Sequence, residues 1–333
     1  MVNRVDAKDW AREKMKGLWT TPAVPFKEDY ALDEAGMKHN IEHLLKTKVS
    51  GIGFGFTEPW VLSIAERKRA MEVSIGSINK RVSSYLHATD HSVEETINLI
   101  NHAEAVGSDA VMVWTPYEWA KDQRMIGDYF EYITSKTNLA IFPYNTYHSG
   151  ISMTTETVRR LAKLPAVCAF KDAINDVAHT IDLIEAVGKE IVICEPLEDH
   201  LLTMVLQFGQ VQLLGATSVF LMQSPHCQPV QEYFDLARAG KAAEASRKYY
   251  ELQPLRDVWK GIYAVLWDKK AASHPLAYIK YWMELLGMKA GPLRPPMHNL
   301  TDEQKAEFKA RLEATGWLEK LAPKHAKKDS KAA

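Results

Sequence analysis

Val167-Cys-Ala-Phe-Lys-Asp-Ala173 is a short apolar run with one lysine, Lys171, near its C-terminal end. Stretches that read as helices flank it, Thr155–Leu164 before and Val177–Val187 after. A nearly continuous apolar run between helices reads as a strand buried on both faces, the habit of parallel sheets. Lys171 is the exception within it. An amine in a buried strand costs free energy unless it is paired or used. Burial also lowers its pKa, and a neutral amine is a nucleophile toward carbonyl carbon. On this segment alone the plainer reading is a strand-tip lysine that carries its ammonium out to water.

The same alternation continues in both directions. Gly17–Phe26, Ser50–Thr57, Val82–Thr89, Asp109–Thr115 and Leu139–Asn145 read as strands before it, and Ile191–Glu195 and Val211–Phe220 as strands after it. The intervening helices carry start and stop signals. Ser63 with Glu66, and Ser92 with Glu95, are capping boxes, and Gly107 suits the end of the second of these helices. Leu32–Lys46, Ile126–Ser135 and Asp199–Phe208 complete the set. Eight strand–helix units point to an α/β fold, a closed (β/α)8 TIM barrel. An open, doubly wound sheet fits less well. No Gly-x-Gly-x-x-Gly turn opens the first unit, and Gly51-Ile-Gly53-Phe-Gly55 has the glycines without the spacing.

Beyond Pro225 no strand is expected. Val230–Ala239 would finish the barrel, and Lys241–Tyr263, Leu276–Leu286 and Leu300–Leu318 read as a C-terminal helical extension. The expected division is a charged lead-in over 1–16, the catalytic barrel over 17–240, a helical subdomain over 241–319 and a lysine- and alanine-rich tail over 320–333 that frays into solvent.

Composition narrows the class. The 333 residues are 46% hydrophobic and 25% charged with net charge −1, as in a soluble globular protein with a large core. Near-neutral charge gives no reason to expect nucleic acid or an anionic membrane as partner. Three scattered cysteines, Cys168, Cys194 and Cys227, do not make a disulfide framework. No run reaches the length of a membrane span and no signal core opens the chain, so the cytoplasm is the expected location.

In such a barrel, polar groups at the C-terminal ends of strands face the active site. They are Thr20/Thr21, Gly55–Glu58, Thr89–His91, Thr115–Tyr117, Tyr144/Asn145, Lys171/Asp172, Glu195 and Thr217/Ser218. One amine among hydroxyls and carboxylates suits a Schiff-base lysine, which needs proton carriers and donors for a substrate carboxylate. His87, His91, His148 and His200 stand near Glu195, Glu198 and Asp199, but no pair has a helical ligand spacing, so no metal is expected.

These motifs, in this order, resemble the dihydrodipicolinate synthase / N-acetylneuraminate lyase family, the pyruvate-type class I aldolases, from about Gly17 to Leu318. Phe170-Lys171-Asp172 is similar to the family's lysine motif, and Tyr144-Asn145 with His148-Ser149-Gly150 to its tyrosine loop. Glu58, Leu62 and Glu66 keep the spacing of its Gly-Thr-Thr-Gly-Glu stretch. Thr115-Pro116-Tyr117 and Gly291-Pro-Leu-Arg294-Pro-Pro296 match two more of its runs. The resemblance implies that Lys171 forms an imine with a small 2-oxo acid, that Tyr144 shuttles protons, that no cofactor beyond this covalent imine is needed, and that the protein is a homo-oligomer, a tetramer by the family's habit. Gly215, Ser218 and the backbone after Gly55 are candidates to hold the carboxylate.

Departures from the pattern bear on the substrate. Gly55-Phe56 replaces the usual threonine pair, and Thr57 stands where a glycine would follow. Phe56 resembles the hydratase-aldolase branch, which cleaves aryl-substituted 2-oxobutenoates. His148 replaces the loop arginine, and Glu118 follows Tyr117 where the synthases have a second tyrosine. These changes argue against a role in lysine biosynthesis. Phe56, Trp60, Trp114, Tyr117, Trp119 and Tyr147 would gather at the barrel mouth, either as a wall for a flat substrate or as packing and subunit contacts. The expected activity is therefore aldol cleavage or formation next to a 2-oxo acid. A dehydratase or deaminase using the same imine, and a non-catalytic oxo-acid-binding barrel, are the alternatives.

Overall fold

The computed structural model describes residues 6–55, 58–115, 122–146, 149–267 and 275–323. Eight strands alternate with helices: β1 (Gly17–Thr20), β2 (Gly51–Phe54), β3 (Ser83–His87), β4 (Ala110–Trp114), β5 (Ala140–Thr146), β6 (Ala169–Ala173), β7 (Val192–Cys194) and β8 (Gln212–Leu213). All their pairings are parallel, in the order β7-β6-β5-β4-β3-β2-β1-β8. The expected TIM barrel with a C-terminal helical extension is the observed fold.

Side-chain alternation sorts each strand into two cores. Ala110, Met112 and Trp114 of β4 and Ala140 and Phe142 of β5 point into the barrel, with Trp19 of β1 and Tyr85 of β3. Val111, Val113, Ile141 and Phe170 point outward under the helices. Two glycines of β2 make the interior possible. A side chain at Gly51 would strike the Trp19 ring at 2.2 Å, and one at Gly53 the Tyr85 ring at 2.2 Å. The charged lead-in is a helix, Ala7–Lys14, whose Ala7 and Ala11 face join the same interior cluster and close the barrel's N-terminal end.

Two glutamines stitch β7 to β8. The Gln210 amide accepts from Glu195 N–H (3.1 Å) and donates to the Glu195 carbonyl (2.9 Å), as a neighbouring peptide would. Gln212 Nε2 donates to the Ile193 carbonyl (2.7 Å). Side-chain amides thus satisfy buried backbone groups at the seam, which would otherwise be left unpaired.

Several boundaries differ from those read in the sequence. Val211–Phe220 is a two-residue strand followed by a helix, Thr217–Leu221, because Gly215 turns at φ +65°. Ser218 therefore sits in the first turn of a helix, not on a strand. Lys241–Tyr263 divides into helices Ala242–Glu251 and Gln253–Trp267, where Pro254 is the second residue of the new helix. A proline is tolerated in a first turn but breaks a helix interior. The stretch from Lys320 does not fray at once, since Leu321 is buried at the end of a short helix, Leu318–Leu321. Both reciprocal bonds of the Ser63–Glu66 box form, whereas Ser92 caps Glu95 N–H and the Glu95 carboxylate turns to Asn98.

A buried ion pair pins the C-terminal helices to the barrel. Arg256 donates to Glu198 through Nε (2.7 Å) and Nη2 (2.8 Å), and Tyr233 donates to the same carboxylate (2.6 Å). Among the described residues, no helix is long and apolar enough to cross a membrane.

Candidate active site

β5 and β6 bring the two principal candidates together. Tyr144 and Lys171 are register partners in adjacent parallel strands, so both side chains point to the barrel's inner face. Lys171 Nζ lies 4.5 Å from the centre of the Tyr144 ring. The lysine is only 6% exposed. Burial pushes its pKa down to about 8, with Cys194 and Glu195 pulling the other way. A substantial fraction of the amine is therefore neutral near pH 8. Burial pushes the Tyr144 phenol up to about 12, opposed by a hydrogen bond from Thr146, so it keeps its proton at neutral pH.

The residues that follow these two hold them in register. Asp172 is buried and accepts three hydrogen bonds, from Asn145 Nδ2 (2.8 Å), Thr180 Oγ1 (2.8 Å) and His179 Nδ1 (2.9 Å). Asn145 Oδ1 accepts in turn from Met153 N–H (2.9 Å). One carboxylate thus ties β5, β6 and the next helix, Val177–Val187, to each other. The hydrogen bond to Asp172 raises the His179 pKa, which favours the charged imidazolium against that carboxylate.

Gly215 lies directly beside the amine. A side chain there would come within 3.0 Å of Lys171 Nζ and 2.3 Å of the Tyr85 hydroxyl, and its φ of +65° also favours glycine. Gly55 ends β2 with φ +102°. The Ser218 hydroxyl is buried with no hydrogen-bond partner. Phe56, Thr57, Tyr117, Glu118 and His148 lie outside the described residues, as do Trp119 and Tyr147.

Aromatic rings continue from Tyr144 around the mouth. Ring centres are 5.2 Å apart for Trp114 and Tyr144, 5.2 Å for His87 and Trp114, 5.6 Å for Trp60 and Trp114, and 5.8 Å for Trp60 and each of His87 and His91. His87 is fully buried and neither ring nitrogen has a hydrogen-bond partner. Burial, with the nearby Arg67 and Lys171 charges, pushes its pKa well down, so the ring is neutral. After β7, Glu195 is buried with Oε1 3.3 Å from His200 Nδ1, and burial pushes its pKa up to about 7.

Arg294, from the Gly-Pro-x-Arg-x-Pro run, acts at a distance from the lysine. It donates to Glu66 and to the Val61 carbonyl (3.0 Å), and its guanidinium lies 4.5 Å from the Phe26 ring centre. It therefore clamps the short turn Glu58–Val61, which follows β2, against the C-terminal segment.

Sequence reasoning missed three contributors. His179 and Thr180 looked like ordinary helix residues, and only the fold brings them to Asp172. Tyr85 lies on the inner face of β3, and nothing in Ser83-Ser-Tyr-Leu-His87 showed which side chain it would meet. Among the described residues, no three His, Cys, Asp or Glu side chains gather as a metal site would need.

Residues 14–315 match the model of the Dihydrodipicolinate synthetase family. The chain is 27% identical over 299 residues to a 4-hydroxy-tetrahydrodipicolinate synthase of Methanothrix thermoacetophila, covering 88% of this chain and 95% of that one. It is 30% identical over 300 residues to the enzyme of that name from Acidiphilium cryptum, covering 89% and 96%. Among solved structures, it superimposes with a TM-score of 0.79 and 25% identity on YagE of E. coli K12, a prophage protein of the dihydrodipicolinic acid synthase family determined in complex with pyruvate, over 91% of this chain and 99% of that one.

Proposed function

The chain belongs to the Dihydrodipicolinate synthetase family and is a lyase, and on that premise we propose that it forms an imine between Lys171 and a 2-oxo acid such as pyruvate. The observation that carries this reading is the buried Lys171 amine, with its lowered pKa, set against the Tyr144 ring. A neutral amine adds to the keto carbon, and loss of water leaves a protonated imine. The positive nitrogen draws electrons from the neighbouring carbon, so a bond one carbon further out breaks or forms. Aldol cleavage or condensation follows, with no metal or bound cofactor required.

The second substrate is a flat or apolar aldehyde, and the reaction is that of a hydratase-aldolase. Supporting this is the run of mutually contacting rings, Tyr144, Trp114, Trp60, His87 and His91, an aromatic environment that suits a flat or apolar group near the amine. Gly55-Phe56 in place of two threonines points the same way. Pyruvate with borohydride should add a stable mass increment to the wild-type protein, located on Lys171 by peptide mapping. Labelling of another residue, or none, would refute the imine. A comparison of aryl-oxobutenoates with deoxy-sugar acids then decides the second substrate, because turnover of the sugar acids alone would leave the aromatic reading without support.

A further inference from the structure

We propose that Tyr85, a residue outside the motifs shared with the family, is a catalytic phenol that delivers protons at the Lys171 imine; this rests on the imine reading above. Three observations place it there. First, one point beside Gly215 lies 2.3 Å from the Tyr85 hydroxyl oxygen and 3.0 Å from Lys171 Nζ, so phenol and amine face the same spot. Second, Tyr144 meets the amine with the face of its ring, at 4.5 Å, leaving the phenol of Tyr85 to face the nitrogen from the side of Gly215. Third, the Tyr85 ring is held on all sides. Trp19 and Phe142 lie against it at 6.2 and 5.1 Å between ring centres, Gly53 leaves room for its edge, and Thr21 Oγ1 hydrogen-bonds its hydroxyl.

Two glycines, Gly53 and Gly215, are what admit this phenol. A methyl group at either would strike it. The chain lacks the paired threonines on the loop after β2, and Tyr85 with Thr21 supplies hydroxyls from β3 and the end of β1 instead. Burial raises the Tyr85 pKa, so the group is a proton donor at neutral pH.

The neutral Lys171 amine adds to the keto carbon; an N–C bond forms, the carbonyl π pair moves to oxygen, and a proton passes from nitrogen to that oxygen. The C–O bond then breaks. The oxygen takes the Tyr85 proton and leaves as water while the nitrogen lone pair closes the C=N bond. An iminium and a Tyr85 phenolate remain. The phenolate removes a proton from the adjacent methyl carbon, the C–H pair becomes the C=C bond of the enamine, and the C=N pair returns to nitrogen. The net change is amine plus 2-oxo acid to enamine plus water, with Tyr85 restored and no other reactant consumed.

Tyr85→Phe removes one oxygen and keeps the packed ring. The test is the rate of borohydride trapping of pyruvate on Lys171, together with the rate at which the pyruvate methyl group exchanges with deuterated solvent. Positioned general acids contribute about 100-fold or more, so both rates should fall by about that factor, with thermal unfolding near that of the wild type. Thr21→Val, at the other end of the hydrogen bond, should slow both by about tenfold and Thr21→Ser should restore them, since a hydroxyl positions the phenol where a methyl does not. If Tyr85→Phe traps and exchanges pyruvate as fast as the wild type, Tyr85 is packing alone and this inference is overturned. If the wild type itself is not labelled, the imine reading fails and takes this inference with it.

Discussion

The two sides of the barrel mouth differ in how far their buried polar groups are paired. On the β5–β6 side, polar groups hold one another. Asp172 accepts from Asn145, His179 and Thr180, and Asn145 accepts from Met153; among the described side chains of this network, His179 Nε2 alone has no partner. On the β3–β4 side the pairing is mixed: Arg67 donates to Asp90 and to the Thr89 carbonyl, and Thr89 Oγ1 accepts from Trp114 N–H. Both nitrogens of His87, which lies against the rings of Trp60 and Trp114, and the Thr115 hydroxyl are nevertheless buried without a hydrogen bond. Saturated buried networks rigidify, whereas an unpaired buried polar group costs about 1–3 kcal/mol. The paired side carries Lys171, the proposed imine-forming residue. The other side leaves some buried donors and acceptors without partners beside the aromatic rings.

The sharpest way to break this comparison is at the lysine itself. Lys171→Ala should lower turnover by more than about 10³-fold, as loss of a covalent nucleophile does, while the far-ultraviolet circular dichroism stays that of the wild type. Residual activity of the wild-type order would remove the reason for a rigid side.

Next in size is the carboxylate that organises that side. Asp172→Ala strands three donors in the core, and should cost about 3 kcal/mol in urea unfolding. Asp172→Asn, which still accepts, should cost less. Equal and small losses from both would mean that the network does not hold the strands.

The buried amine makes a pH prediction. Its pKa falls from 10.5 unfolded to about 8 folded, so the unfolded chain binds more protons between those values. Stability should therefore rise with pH from about 8 to about 10.5, by ~3 kcal/mol at most, relative to Lys171→Met. The rate of pyruvate trapping should climb to about pH 8 and level off above it, as the amine becomes neutral. A flat trapping profile across this range would contradict the depressed pKa.

The smallest effect has the opposite sign. His87→Phe replaces an unpaired imidazole by a ring of similar shape and should stabilise the protein by about 1 kcal/mol. A loss of stability instead would show that the imidazole already has a partner, and the contrast between the two sides would disappear.

The eight-unit barrel was readable because its signal is local: a repeated change between strand and helix patterns shows within a few residues at a time. Lys171 and Tyr144 stood out only through the order of motifs that resembles the family, since alone the lysine reads as a strand-tip residue. The misplaced strand at Val211–Phe220 shows the limit of that reading. An apolar run does not say whether it is strand or helix, and the deciding turn at Gly215 depends on what surrounds it. The Gln210 and Gln212 seam was invisible for a related reason, since a glutamine reads as polar surface until a backbone lacking a partner is placed opposite it.

Composition and periodicity by themselves determined the fold class and the alternation of strands with helices, which follow from each residue's own chemistry and its near neighbours in the chain. Motif order, through the family resemblance, singled out Lys171 as the expected imine-forming residue. Only the tertiary structure decided that Asp172 meets His179 and Thr180, that Tyr85 and Lys171 both face the space beside Gly215, and that His87 is left unpaired. Such contacts depend on strand register and barrel closure, which join residues far apart in the chain, and on the burial that shifts the pKa of Lys171 once the barrel closes around it.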